Sequence, residues 1–575
     1  MKYARYNTLI LLVLAGFITG CSDDFLDLKP IAKDTEETFY KDFQAVDATV
    51  TAAYGELCAR EVFDKDYYMT IGSIPADDVE AGGESINDYP DAQNFDRFIH
   101  SLNDATEPEE IWRYCYKGLR FCNTALDKLA TIKEVDPKAS DALIARRVGE
   151  MKFLRAWYHF TLVQVFGGVP IADKTIQPSD FYNPRNTIKE VFSFIEQDLK
   201  DAINVLPEKK DLGTQVGRAS VGAAQALLSK MLMYESGYAK NYSGDDRFAG
   251  CEQRWQEALN YAEAVINSTD NYTLVGTNGE RYHSWRTGAD HTATIDGYRW
   301  LFTTDADNCS ESIFEIQSVN DGLGWGVTRG NCMTVYQTCR KYMKEDGTLG
   351  DVGGWSFNCP TTYLISAFQN NDSRESNLHS SPGIETDDPR FATTVGRLGD
   401  SIYLDDTTYV ALNFDNLPTG TIGRKFECGW DEYWSAGQWT QGPYNVRLIR
   451  LADILLLAAE AAIETSQPDK ALDYVNRVRT RARNCGSTGF PQDLTAVSFE
   501  DIVHERRLEL ACEPHRFFDL VRWGLTEKYI NGISNAAVGG DFRVEFVKGK
   551  HEFWPIPLSE IQLSKGGLVN YPAWQ

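Results

Sequence analysis

The 575-residue chain lacks the short motifs that mark the common hydrolytic and nucleotide chemistries. It has no G-x-S-x-G elbow, no H-E-x-x-H pair, no G-x-x-x-x-G-K-[ST] loop and no cysteine cluster with zinc spacing. Serine-hydrolase, zinc-protease and P-loop readings therefore have no starting point. Basic charge is also scarce: 57 Lys and Arg stand against 83 Asp and Glu, a net charge of −26. That balance argues against nucleic acid and polyanionic surfaces as partners and leaves neutral or cationic ligands open. No C-x-x-C pair occurs among the 12 cysteines. Cys115 and Cys122 fall two turns apart in one predicted helix, and Cys332 and Cys339 are the only loop pair close in sequence. Buried thiols with one bridge at most are expected. The 8 histidines are dispersed, so neither a metal nor a cofactor is expected. What is present, 43% hydrophobic and 24% charged residues, is an ordinary globular composition able to build a large core.

The first 20 residues read as a processing segment. Lys2 and Arg5 form a basic start, and the apolar run from Leu9 to Phe17 is too short to span a bilayer. Ile18-Thr19-Gly20-Cys21 resembles the lipobox, which makes Cys21 the expected lipidation site and residues 21–38 a lipidated tether. Removing residues 1–20 takes away Lys2 and Arg5 and no acid, deepening the negative charge by two. Ser22-Asp23-Asp24 resembles the acidic signal for surface export, although such a run also suits a solvated tether.

Residues 39–270 and 441–575 carry apolar residues at steps of three and four, the mark of amphipathic helices. Phe39, Phe43, Val46, Val50 and Tyr54 share one face, and Ile144, Val148, Met151, Tyr158 and Leu162 share another. Thr106 with Glu109, Thr187 with Glu190 and Ser498 with Asp501 have capping-box spacing. Ser220 starts a helix expected to end near Gly237, and four consecutive helices are expected between Arg447 and Gly524. Arg477, Arg479, Arg481 and Arg483 alternate and so share no helical face, which favours ion pairing over a nucleic-acid stripe. Glu505, Arg506, Arg507 and Glu509 are expected to pair with neighbouring helices.

Two stretches lose this periodicity. Residues 61–106 collect Gly, Asp, Asn and Pro and read as a long loop excursion. Residues 271–440 form a loop-rich block, with a turn or two of helix around "TTYLISAFQN" and seven of the 13 tryptophans. Gly322-Leu-Gly-Trp-Gly326 lacks a strand-then-helix frame and reads as a loop presenting Trp325, and Asp305-Ala-Asp307-Asn308 as a solvated turn. Aromatic rings on loops suit sugar faces, with Asp, Asn or Arg aimed at hydroxyl groups. The candidate ligand-binding residues are Trp285, Tyr298, Trp300 and Trp325 from the block, with Tyr68 and Asp78 from the excursion. Tyr67, Tyr89, Asp77 and Asn87 lie beside the last two. The acid doublets Asp77-Asp78 and Asp387-Asp388 raise a glycosidase reading, but adjacent carboxylates rarely face one another across a substrate.

The succession "RLADILLLAAEA", "ALDYVNRVRTRA", "HERRLELACEPHRFFDLVRWG" and "WPIPLSEIQL" resembles the C-terminal half of the SusD/RagB family. "EEIWRYCYKGLRFCNTALDKL" and "ALIARRVGEMKFLRAWYHFTLVQVFGGVPI" resemble its N-terminal half. The family usually follows its last motif with Asn-Pro, where this chain reads "LSKGGLVNYPAW". The resemblance implies a mainly α fold with a tetratricopeptide-like helix-pair scaffold and an irregular inserted subdomain. It also implies a non-enzymatic outer-membrane lipoprotein, facing the cell exterior, that delivers oligosaccharide or polysaccharide to a SusC-like TonB-dependent transporter. Peptide cargo is the alternative within the family, and a surface glycosidase a further one. The resemblance selects no individual binding residue.

Overall fold

Long helices dominate both ends of the chain and stack in pairs. The computed structural model describes residues 39–575 apart from 60–61, 103–105, 176, 178–179, 181–182, 284–293, 320–322, 324–328, 344–348, 352, 370–385, 398–399, 404–408, 413–418, 428–441 and 536–541. Cys21, Trp285 and Trp325 lie outside the described residues. Helix Thr106–Val135 packs on Asp141–Phe166, which packs on Ile188–Ile203, and Val221–Asn241 packs on Trp255–Ile266. Leu451–Glu464 bridges the two ends, lying against both Trp255–Ile266 and Pro468–Cys485. The molecule is thus mainly α, a tetratricopeptide-like scaffold of helix pairs around one large apolar core.

The local signals act where their spacing places them. Thr187 and Glu190 close a capping box on Ile188–Ile203, and Ser498 and Asp501 close one on Phe499–Glu509. Ser220 caps its helix through the Ala223 amide. Two boundaries differ from expectation. The Ser220-capped helix runs through Gly237 to Asn241, because Gly237 marks a close approach rather than a stop. A Cβ there would lie 2.8 Å from the Arg522 carbonyl oxygen of the neighbouring helix. Arg447 to Arg450 is strand, not helix: Val446–Arg450 pairs antiparallel with Ser312–Ile316, tying the middle block to the C-terminal scaffold.

The middle block consists of short elements. Leu349–Asp351, Lys341–Met343, Tyr409–Leu412 and Ser401–Tyr403 form a four-stranded sheet in that order, and Thr421–Gly423 pairs with Val395–Arg397. Thr362–Phe368 is the short helix expected near "TTYLISAFQN". The ten described cysteines are free thiols.

Residues 61–106 are not a surface excursion. They hold a π-helix at Val62–Ile71, strand Val79–Gly82 and helix Pro90–Asp96, and most of their side chains are buried. The stretch is a strap through the interior. Its strand pairs with Phe357–Pro360 of the middle block, and Thr361 donates from its amide and hydroxyl to the carbonyls of Asp78 and Asp77.

Candidate functional site

Burial removes three of the expected ligand-facing residues from that role. Tyr298 is fully buried; its hydroxyl donates to the Glu509 carbonyl at 2.8 Å and its ring lies under Arg481. Tyr68 is 1% exposed and packs edge-on against Phe426 at 5.5 Å. Asp78 is 2% exposed and accepts from Arg507. Its neighbour Asp77 takes both Nε and Nη2 of Arg516, at 2.7 and 2.9 Å. Burial opposes charge on Asp77, but Arg507 and Arg516 outweigh it and hold that carboxyl below the ordinary range. The doublet fastens the strap to the C-terminal helices, and Asp388 of the other doublet is consumed by Arg390 at 2.7 Å. These ion pairs leave neither doublet placed as a catalytic carboxylate pair.

Behind them lies a buried ionic network that includes two of the expected C-terminal residues. Arg450 donates to Glu513 at 2.7 Å, Glu509 at 2.6 Å and Glu311 at 3.0 Å. Arg481 joins Glu311 and Glu509, Arg390 reaches Glu505 at 2.6 Å, and Lys425 reaches Glu513 at 2.7 Å. Burial would raise the Glu509 carboxyl, but Arg481, Arg450 and Arg390 hold it down to about 2. Glu311, Arg390 and Lys425 belong to the middle block, so the network fixes that block on the helices.

Among the described residues of the strap and the middle block, two groups of aromatic rings reach the surface. Trp300 is half-buried and stacks on Tyr282 with centroids 4.3 Å apart and planes 16° from parallel. It sits on the small cluster of Val275, Leu301 and Phe302. The second group is richer, and it forms where the strap meets the middle block. Gly82 and Gly83, at φ +76° and +75°, turn the chain out of strand Val79–Gly82; a Cβ on Gly82 would strike the Ser356 carbonyl at 2.5 Å. That turn delivers the exposed Glu84 and Asn87 and the half-buried Asp88 and Tyr89 to the surface.

Tyr89 lies 5.3 Å from Phe357 and 6.0 Å from Tyr336, and half-buried Trp355 meets Tyr336 edge-on at 4.9 Å. Polar groups converge on these rings. Arg340 donates through Nε to the Trp355 carbonyl at 2.8 Å and through Nη2 to Asp88. Lys65 lies 5.3 Å from the Tyr89 ring centre and pairs with Asp66 at 2.7 Å. The Tyr89 hydroxyl donates to Glu107 at 2.8 Å, which fixes the ring. Tyr89 and Trp355, half-buried over the buried rings of Tyr336 and Phe357 and held by a salt-bridged arginine, offer an apolar platform edged with charged and amide groups, an arrangement suited to a polar ring-shaped ligand. Sequence reasoning noted Tyr89 and Asn87 but missed Trp355, Tyr336 and Arg340. Their grouping arises from the Val79–Gly82 and Phe357–Pro360 pairing, which joins residues about 280 positions apart. Among the described residues, no group of three His, Cys, Asp or Glu side chains is arranged to hold a metal.

Comparison with known proteins defines the class. A SusD-family model matches residues 310–574, and a related model described as starch-binding, associating with the outer membrane, matches residues 24–233. The chain belongs to the SusD family. A SusD-like protein of Bacteroides ovatus is 24% identical over 543 residues, covering 93% of this chain and 85% of that protein. The starch-binding protein SusD of Bacteroides thetaiotaomicron is 24% identical over 625 residues and 99% of each chain. Among solved structures, a laminarin-binding SusD-like protein is 27% identical, with a TM-score of 0.66 over 93% of this chain and 100% of that one. Among the described residues no helix is long and apolar enough to cross a membrane.

Proposed function

We propose that this chain is a glycan-capture lipoprotein of the outer membrane, anchored through Cys21 and passing oligosaccharide or polysaccharide to a SusC-like TonB-dependent transporter. The observation that carries the reading is the platform of half-buried Tyr89 and Trp355, backed by the buried Tyr336 ring and edged by Arg340, Asp88 and Asn87. A sugar ring laid on Trp355 buries its apolar C–H face, while its hydroxyls reach the charged and amide groups at the rim. Relatives named for starch and laminarin binding favour glycan over peptide cargo. The Trp300 and Tyr282 stack is a second contact for a longer chain, and Trp285 and Trp325 stay candidates from the sequence. Capture requires no bond making, and Asp77, Asp78 and Asp388 of the acid doublets are committed to arginines. The reading is therefore binding without catalysis.

Native affinity electrophoresis of the chain from Ser22 onward, through gels carrying a panel of polysaccharides, tests the proposal. Retardation by one glycan, lost in Trp355→Ala and without release of reducing ends, is the expected result. Retardation by none of the panel, with binding of peptides instead, would move the cargo to the peptide class.

A further inference from the structure

A second cleft lies elsewhere, between helix Thr106–Val135, the segment that follows Asp141–Phe166, and the C-terminal helix Leu558–Leu563. Its volume is about 340 Å³, and none of its lining residues belongs to the platform of Tyr89 and Trp355. The walls are mainly apolar, from Trp112, Tyr116, Pro170, Ile171, Leu563 and Leu568. Trp112 and Tyr116 stand 4.8 Å apart. The Tyr116 hydroxyl donates to the Pro170 carbonyl at 2.7 Å, so its polar tip serves the frame. Leu563 is 66% exposed, on a helix that buries none of its own residues.

The charged residues of the lining are unequally matched. Arg113 pairs with Glu110, and Lys174 lies 3.6 Å from Asp180. Glu560 has no basic side chain within ion-pair distance among the described residues, and it shares the cleft wall with Trp112. Burial pushes the Glu560 carboxyl up, and the nearby Glu109 adds to the rise. A half-buried acid without a cation, set against leucine, proline and indole, is a poor host for an anion and an incomplete one for a sugar. Its missing partner is a positive charge on an apolar stem.

We propose that this cleft binds an organic cation, a primary ammonium or guanidinium whose head meets Glu560 and whose stem lies along Trp112, Tyr116 and Leu568. A free aliphatic amine and a Lys or Arg side chain on a peptide share that chemistry. The site is separate from the glycan platform and stands or falls independently of the glycan reading.

Calorimetric titration of the chain from Ser22 onward with hexylammonium, hexanol and hexanoate tests the charge requirement. Hexylammonium is expected to bind at least about tenfold more tightly than hexanol, with hexanoate weaker than either. Glu560→Gln is expected to abolish the preference while thermal stability and glycan retardation stay unchanged. Glu560→Asp, which keeps the charge, is expected to retain the preference and so separates its loss from misfolding. Acetyl-Leu-Lys-Leu-amide binding more tightly than hexylammonium assigns the cation to a peptide side chain, and the reverse order assigns it to a free amine. Equal binding of hexylammonium and hexanol, a preference that survives Glu560→Gln, or no binding of any probe would overturn the proposal.

Discussion

Residues 61–106 and 333–357 both carry Gly, Asp and aromatic rings, yet the fold sets those rings at different depths. The first is a strap sunk in the interior, where Tyr67, Tyr68, Asp77 and Asp78 are at most 4% exposed. The second brings Trp355 and Arg340 to the surface beside an outward turn of the strap, Gly82 to Tyr89. The difference lies in partners. The strap acids meet arginines from helices more than 400 residues away in sequence, and those ion pairs make burial tolerable. Arg340 meets its acid at the rim and frames a surface. Loop-like composition records the absence of helical periodicity; it does not record depth.

That contrast breaks most sharply at Arg516. Arg516→Met leaves Asp77 buried with half its pairing and is expected to destabilise the protein by about 3–5 kcal/mol, measured by denaturant unfolding. A loss under about 1 kcal/mol would mean the strap is not held by its ion pairs. Next comes acid sensitivity. Burial, with His551 and Lys550 close by, pushes His100 of the strap down to about 3. A group whose folded pKa is depressed adds stability above its unfolded value, near 6.5, and loses it as pH falls toward the folded value. Unfolding free energy is therefore expected to fall by about 1.4 kcal/mol per pH unit from His100 alone between about pH 6.5 and 3. His159, also pushed down to about 3 by burial, adds to the slope. His100→Phe should flatten the profile, and an unchanged slope would place the acid sensitivity elsewhere.

At the surface the expected effects turn from stability to binding. Trp355→Ala should raise the glycan Kd at least tenfold, about 1.4 kcal/mol, with little change in Tm, because its ring is half-exposed. Trp300→Ala should cost about 0.4 kcal/mol, a twofold weakening, if the stack on Tyr282 is an outer contact. A larger loss at Trp300 than at Trp355 would exchange the roles of the two groups.

The scaffold was legible because its signals are local. Capping pairs such as Thr187 with Glu190, and apolar residues at helical spacing, depend on neighbours within a few positions. The interior charges were half legible. Glu509 and Arg507 read as ion-pairing residues, but their partners Arg390 and Asp77 lie far off in sequence. The site was the least legible part. Tyr68 and Tyr89 are both tyrosines in the same aperiodic stretch; what separates them is the turn at Gly82 and Gly83, whose need for glycine comes from Ser356 and Phe357. Tyr298 was misplaced for a similar reason, since its hydroxyl has a buried carbonyl partner two hundred residues away.

Hydrogen–deuterium exchange with and without the glycan that retards the protein tests the platform most directly. The account predicts new protection at residues 84–90 and 336–357 and none at 62–79, whose amides are already buried. Protection confined to 62–79, or to the segment around Trp300 and Tyr282, would contradict it.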